Sequence, residues 1–117
     1  MEIWKEITNS NGNYQVSNLG GFKAFKYVFY GENPHSYRAI TYKSKDNEKI
    51  QTSLHRLVFT EFKHEIPKGM VINHIDGDKS NNAIDNLECI THSENIIHAY
   101  ATGLFTTRLY KERRKNK

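Results

Sequence analysis

The chain has 117 residues, is 37% hydrophobic and 26% charged, and carries a formal net charge of +4. These values describe a globular chain of about one compact domain rather than a disordered tail, and no run of roughly 18 apolar residues offers a membrane helix. Cys89 is the only cysteine, which excludes an internal disulfide and a cysteine-rich zinc knuckle, so a metal site would have to be built from His, Asn, Asp or Glu.

The first residues, Met1-Glu2-Ile3-Trp4-Lys5-Glu6, are charged and hold no apolar signal core, so a cytoplasmic protein is expected. Tyr14–Ser17 alternates polar and apolar residues, Asn18-Leu19-Gly20-Gly21 is a turn, and Phe22–Lys26 alternates again. Tyr27–Tyr30 is aromatic and β-branched, and Gly31–Pro34 breaks it. Tyr37–Tyr42 is a further strand candidate, with Ile50–Thr52 returning antiparallel to it after a polar stretch. Residues 1–52 thus read as an antiparallel β-module, with Trp4, Tyr14 and Phe22 in its core.

From Ser53 the period changes. Leu54, Leu57, Val58 and Phe62 share one face of a helix, with Ser53 as its N-cap and with Pro67 and Gly69 closing the segment. His55 and Arg56 lie opposite or beside that stripe, either bordering the core or contacting phosphate. Met70–Ile72 is a short apolar strand leading into Asn73-His74. Asp76–Asn82 is a turn-rich loop, Leu87–Ile90 a second strand, and Thr91-His92-Ser93-Glu94 fits a capping box opening a helix to about Thr102, before Gly103. Cys89 reads as buried packing, His92 as a solvated first-turn residue, and Asn81 and Asn82 as turn chemistry. The last ten residues, Arg108–Lys117, hold six Lys or Arg against one Glu, a net of +5. Such a tail is either solvated or a phosphate-binding arm.

Val71-Ile72-Asn73-His74-Ile75-Asp76-Gly77-Asp78-Lys79-Ser80-Asn81-Asn82, then Asn86-Leu87-Glu88, then Thr91-His92-Ser93-Glu94-Asn95, resembles the HNH nuclease signature, and more narrowly that of the phage and intron-encoded HNH homing endonucleases. Leu54-His55-Arg56-Leu57-Val58 is similar to a helix those proteins carry before the motif. Glu2–Ile7 followed by Tyr14–Gly20 resembles their N-terminal nuclease-associated module. The resemblance covers residues 2–26 and 52–104 and implies an α+β protein: an N-terminal antiparallel β-module (1–52), a connecting helix with a ββα-metal motif (53–104), and a basic tail (105–117).

What the resemblance implies for the site can be stated residue by residue. His74 is the general base that activates water against a DNA phosphate, and Asn86 is the middle Asn of the signature, holding the loop that aims His74. Asn73 and Asn95 bind one divalent cation, Mg²⁺ or Mn²⁺, and Asn95 stands where the signature ends in His, making an H-N-N variant. Because two amides form a lean ligand set, Asp76 and His98 are further candidate ligands. His55, Arg56, Arg108, Lys111, Arg113 and Arg114 are candidate DNA contacts. The physical logic is consistent: a neutral imidazole suits base catalysis near pH 7, and a hard cation prefers oxygen donors while keeping waters and substrate oxygens in its shell. The expected partner is double-stranded DNA, nicked on one strand by a monomer, with no membrane involved. Two other readings remain: a catalytically weak or inactive module that keeps the fold and binds DNA, and a structural zinc site made from His74, His92 and His98.

Overall fold

A computed structural model describes residues 1–102 of the chain. Four short strands, β1 (Trp4–Glu6), β2 (Tyr14–Ser17), β3 (Phe22–Ala24) and β4 (Tyr27–Phe29), form an antiparallel sheet in sequence order. A separate hairpin pairs β5 (Ala39–Lys43) with β6 (Lys49–Ser53), from Ala39↔Ser53 to Lys43↔Lys49. Helix α1 (Leu54–Phe62) follows directly. Strands β7 (Met70–His74) and β8 (Leu87–Thr91) then pair antiparallel, and α2 (His92–Thr102) packs back on both of them. The architecture is therefore α+β, as the motifs imply.

Local chemistry explains most of these elements, and the departures from it are informative. The alternation at Phe22–Lys26 breaks at Phe25, whose φ of 58° turns the chain directly into β4. Such a φ is uncommon for a bulky residue, and the ring of Phe25 lies 6.1 Å from that of Tyr14. The run from Tyr37 joins the sheet only at Ala39, because the Tyr37 ring is used elsewhere. Ser53 occupies the N-cap position of α1 with extended backbone, but its hydroxyl caps nothing, and the Leu54 amide instead donates to the Arg38 carbonyl at 2.8 Å. The helix ends at Phe62, before Pro67.

At α2 the capping box forms in both directions. The Glu94 amide donates to Thr91 Oγ1 at 3.2 Å, and the Thr91 amide donates to Glu94 Oε1 at 3.1 Å. Replacing Thr91 with alanine is expected to lower stability by about 1 kcal/mol, read as a shift of the urea midpoint at constant slope.

One hydrophobic cluster runs through the described residues. Val16 and Phe22 of the first sheet and Ile40 of β5 meet Leu54, Val58 and Phe59 of α1, and α1 also covers Ile72 of β7 and Leu87 of β8. Tyr14 and Cys89 pack half-buried against this core, whereas Trp4, expected within it, is half-buried outside the cluster with Lys23 Nζ 5.9 Å from its ring. A buried carboxylate ties the layers together, since Glu61 of α1 accepts from the Thr8 amide at 3.0 Å and the Thr8 hydroxyl at 3.1 Å, while Lys5 Nζ donates to the Glu61 carbonyl. The end of β7 is thus anchored from beneath by α1 and from above by α2.

Candidate active site

His74 is the last residue of β7 and is only 3% exposed. Its Nε2 stands 2.7 Å from Asn82 Oδ1. Two other rings share its space. The His55 ring lies 5.0 Å away, and Tyr37 stacks on both, 4.5 Å from His55 and 5.8 Å from His74. Lys79 Nζ sits 4.7 Å above the Tyr37 ring. Burial pulls the His74 pKa below its ordinary value, against the Asn82 hydrogen bond and the nearby carboxylates of Asp76 and Asp78; Lys79 adds to the lowering. The imidazole is thus held neutral at pH 7, the form a general base needs.

The loop after His74 is organised around Asp76 and Asn86. Asn86 Oδ1 accepts from the Asp76 amide at 3.0 Å, and Asn86 Nδ2 donates to Asp76 Oδ1 and to the Asn81 carbonyl, each at 2.9 Å. The Ile75 amide donates to the Asn86 carbonyl at 2.8 Å. Gly77, with φ 79°, takes the left-handed turn that lets its amide reach back to the His74 carbonyl at 2.9 Å. Burial raises the Asp76 pKa, but hydrogen bonds from Asn81, Asp78 and Asn86 outweigh it and hold the carboxyl below its usual range. Both Asp76 oxygens are therefore engaged inside the loop, Oδ2 by Asn81 Nδ2 at 2.9 Å.

Asn73 precedes His74 on β7, opposite Glu88 of β8. Its Nδ2 donates to Glu88 Oε1 at 2.8 Å, which orients the carboxamide and leaves Oδ1 as the oxygen donor. Asn95 is half-buried in the first turns of α2. Two carboxamide oxygens suit a small hard cation that keeps waters and substrate oxygens in its shell, and they suit zinc poorly. No group of three or more His, Cys, Asp or Glu able to hold a metal occurs among the described residues. The carboxamides of Asn73 and Asn95 have the donor chemistry of an oxygen-bound divalent ion rather than of a histidine zinc site. His98 Nε2 lies 2.9 Å from the Ile75 carbonyl and so braces the start of the loop.

The structure corrects the reading of His55 as a surface contact to DNA. Only 6% of it is exposed, because α1 turns it inward beside the apolar stripe and under Tyr37. Arg56 does face outward, along a cleft of about 390 Å³ that Tyr42, Glu61 and Ile66 also line. Arg108, Lys111, Arg113 and Arg114 lie outside the described residues. Two residues that sequence reasoning left without a role belong to the site: Asn82, which reads as one turn residue in an Asn-rich run, and Tyr37, which reads as a strand residue. Neither carries a local signal, since each reaches His74 only through tertiary contact.

Comparison with known proteins follows this geometry. Residues 53–96 match the family model described as HNH endonuclease, and residues 2–73 match the NUMOD4 motif. YosQ, an SPbeta prophage-derived protein of Bacillus subtilis (strain 168) named among HNH homing endonucleases, is 45% identical over 73 residues, which is 62% of this chain and 42% of YosQ. The DNA endonuclease I-HmuI of Bacillus phage SP01 is 33% identical over 104 residues, 86% of this chain and 59% of that protein. A solved structure concerned with DNA binding and cleavage by I-HmuI superposes with a TM-score of 0.75 at 28% identity, covering 97% of this chain and 66% of the other. The chain thus spans between two fifths and three fifths of the length of these two relatives.

Proposed function

Because the chain belongs to the HNH endonuclease family and carries that family's NUMOD4 motif at its N-terminal end, we propose that it is a metal-dependent DNA endonuclease that nicks one strand of a duplex, with His74 as general base. The observation that carries this reading is the neutral, buried His74 at the end of β7, gripped at Nε2 and flanked by an amide oxygen donor at Asn73.

In the proposed reaction a water oxygen forms a bond to phosphorus while the His74 imidazole accepts the water's proton. The bond from phosphorus to the 3′-oxygen breaks, and the leaving oxygen takes a proton from solvent, giving 5′-phosphate and 3′-hydroxyl ends. Asn86 keeps the loop closed so that the ring stays aimed. Asn73 and Asn95 would hold Mg²⁺ or Mn²⁺, which when bound neutralises charge on the phosphate and on the leaving oxygen. Asp76 and His98 serve the loop rather than the ion in this reading, because both Asp76 oxygens and His98 Nε2 already bond to it. Arg56 and the tail residues Arg108, Lys111, Arg113 and Arg114 contribute phosphate contacts that position DNA without reading its sequence, together with the β-module of residues 1–52.

Nicking of supercoiled plasmid tests the reading. The chain is expected to convert plasmid to the relaxed circle in Mg²⁺ or Mn²⁺, to stop in EDTA, and to recover when the ion is restored. Plasmid that is bound but stays supercoiled in every divalent ion would leave only a DNA-binding module on this fold.

A further inference from the structure

We infer that Asn82 is a positioning residue for the base: it sets the tautomer of His74, holding the proton on Nε2 so that Nδ1 presents the lone pair that accepts the proton from water. The inference rests on the proposed nuclease activity and adds to it the identity of the reacting nitrogen.

Three observations support it. First, Asn82 Oδ1 lies 2.7 Å from His74 Nε2, and a carboxamide oxygen can only accept, so Nε2 carries the hydrogen. Among the described residues no hydrogen bond reaches His74 Nδ1. Second, Asn82 is not an ordinary turn asparagine. It is only 2% exposed, and its Nδ2 is buried without a hydrogen-bond partner. An unpartnered buried donor is destabilising, so the amide is not placed here for the stability of the turn.

Third, the connections of the N-terminal sheet are shaped to admit it. A Cβ at Gly20 would stand 2.6 Å from the Asn82 carbonyl carbon. One at Gly31 would stand 2.8 Å from Asn82 Nδ2 and 2.6 Å from the Ser80 carbonyl oxygen. Side chains at either glycine would therefore expel the Asn82 segment. Backbone hydrogen bonds fasten the same seam, from the Ile84 amide to the Asn18 carbonyl at 2.8 Å and from the Lys79 amide to the Pro34 carbonyl at 3.1 Å. The β-module thus presses Asn82 onto the base, while the rings of His55 and Tyr37 restrict His74 from its other sides.

Long-range ¹⁵N–¹H NMR on the histidine-labelled full chain reads the tautomer directly, with His74 assigned by its loss in His74→Ala. The wild type is expected to show the Nε2–H tautomer. Asn82→Leu, similar in shape but without an acceptor, is expected to lose that tautomer as the dominant form and to nick about 100-fold more slowly in kcat, with KM for plasmid unchanged. Asn82→Asp restores an acceptor and is expected to recover the Nε2–H tautomer and most of the rate. A wild-type spectrum showing Nδ1–H overturns the inference, whether or not the leucine variant folds. So does an Asn82→Leu protein that keeps both tautomer and kcat. A wild-type chain that never nicks plasmid fails the nuclease reading instead, and that result is in hand before any Asn82 variant is made.

Discussion

His74→Ala is expected to slow plasmid nicking by about 10³-fold. A positioned general base contributes roughly 10²- to 10⁴-fold to a hydrolysis, and 10³-fold corresponds to about 4 kcal/mol of barrier. The His55 imidazole, 5.0 Å from that of His74, is buried under Tyr37 with its pKa depressed to about 3, which makes it a poor replacement base. The variant also strands Asn82 Oδ1, which lowers stability by roughly 1–3 kcal/mol. Its rate should therefore be measured well below its melting temperature, with circular dichroism confirming the fold. A folded His74→Ala protein that nicks within tenfold of wild type would remove His74 from the role of base.

The second large effect is loss of stability in acid, centred on His55. Desolvation by burial depresses its pKa to about 3, and the neighbouring His74, Arg56 and Lys79 push in the same direction. Its Nδ1 is buried with no hydrogen-bond partner, so protonation in place would put an unpaired charge inside the stack of rings. In the unfolded chain the same residue takes up a proton at its ordinary value near 6.5. The unfolded state therefore binds more protons between those two values. Stability is full above pH 6.5 and falls as pH drops from about 6.5 toward 3. At about 1.4 kcal/mol per unit, roughly 2 kcal/mol is gone by pH 5 and on the order of 4 by pH 3.5. His55→Phe keeps a ring in the stack and removes the proton site. Urea titrations from pH 7 to 3.5 should show the wild type losing stability faster than His55→Phe by these amounts. Parallel pH curves for the two proteins would show that His55 does not govern the acid limb.

Much of the fold is legible in the residues because it is set locally. The apolar spacing of Leu54, Leu57 and Val58 makes one face of a helix whatever lies around it. Thr91 and Glu94 satisfy each other's backbone amides within a single turn, which places the start of α2. The strand, loop, strand and helix around His74 follow from signals no more than a few residues apart. Family resemblance then attaches chemistry to His74, Asn73, Asn86 and Asn95, since short motifs carry their spacing with them. The hydrogen bonds of Asn86 to Asp76 and Asn81 accord with its expected hold on the loop.

Other features are decided only when distant segments meet. Whether His55 faces water or the core depends on which side of α1 the β7–β8 hairpin covers, and helical periodicity leaves a residue at the edge of the stripe free to go either way. Tyr37 reads as a strand residue because its neighbours alternate, yet its ring is drawn out of the sheet by the apolar faces of two histidines. Asn82 looks like one more turn residue in Ser80-Asn81-Asn82, and close packing against Gly20, in the turn before β3, and Gly31, just after β4, makes it the partner of His74. By itself, then, the sequence determined the order of elements and the family motifs that single out His74 for the proposed role of base. The tertiary structure alone decided how His74 is held, because burial and hydrogen-bond partners arise from contacts between residues 8 to 66 positions apart, and no local pattern encodes them.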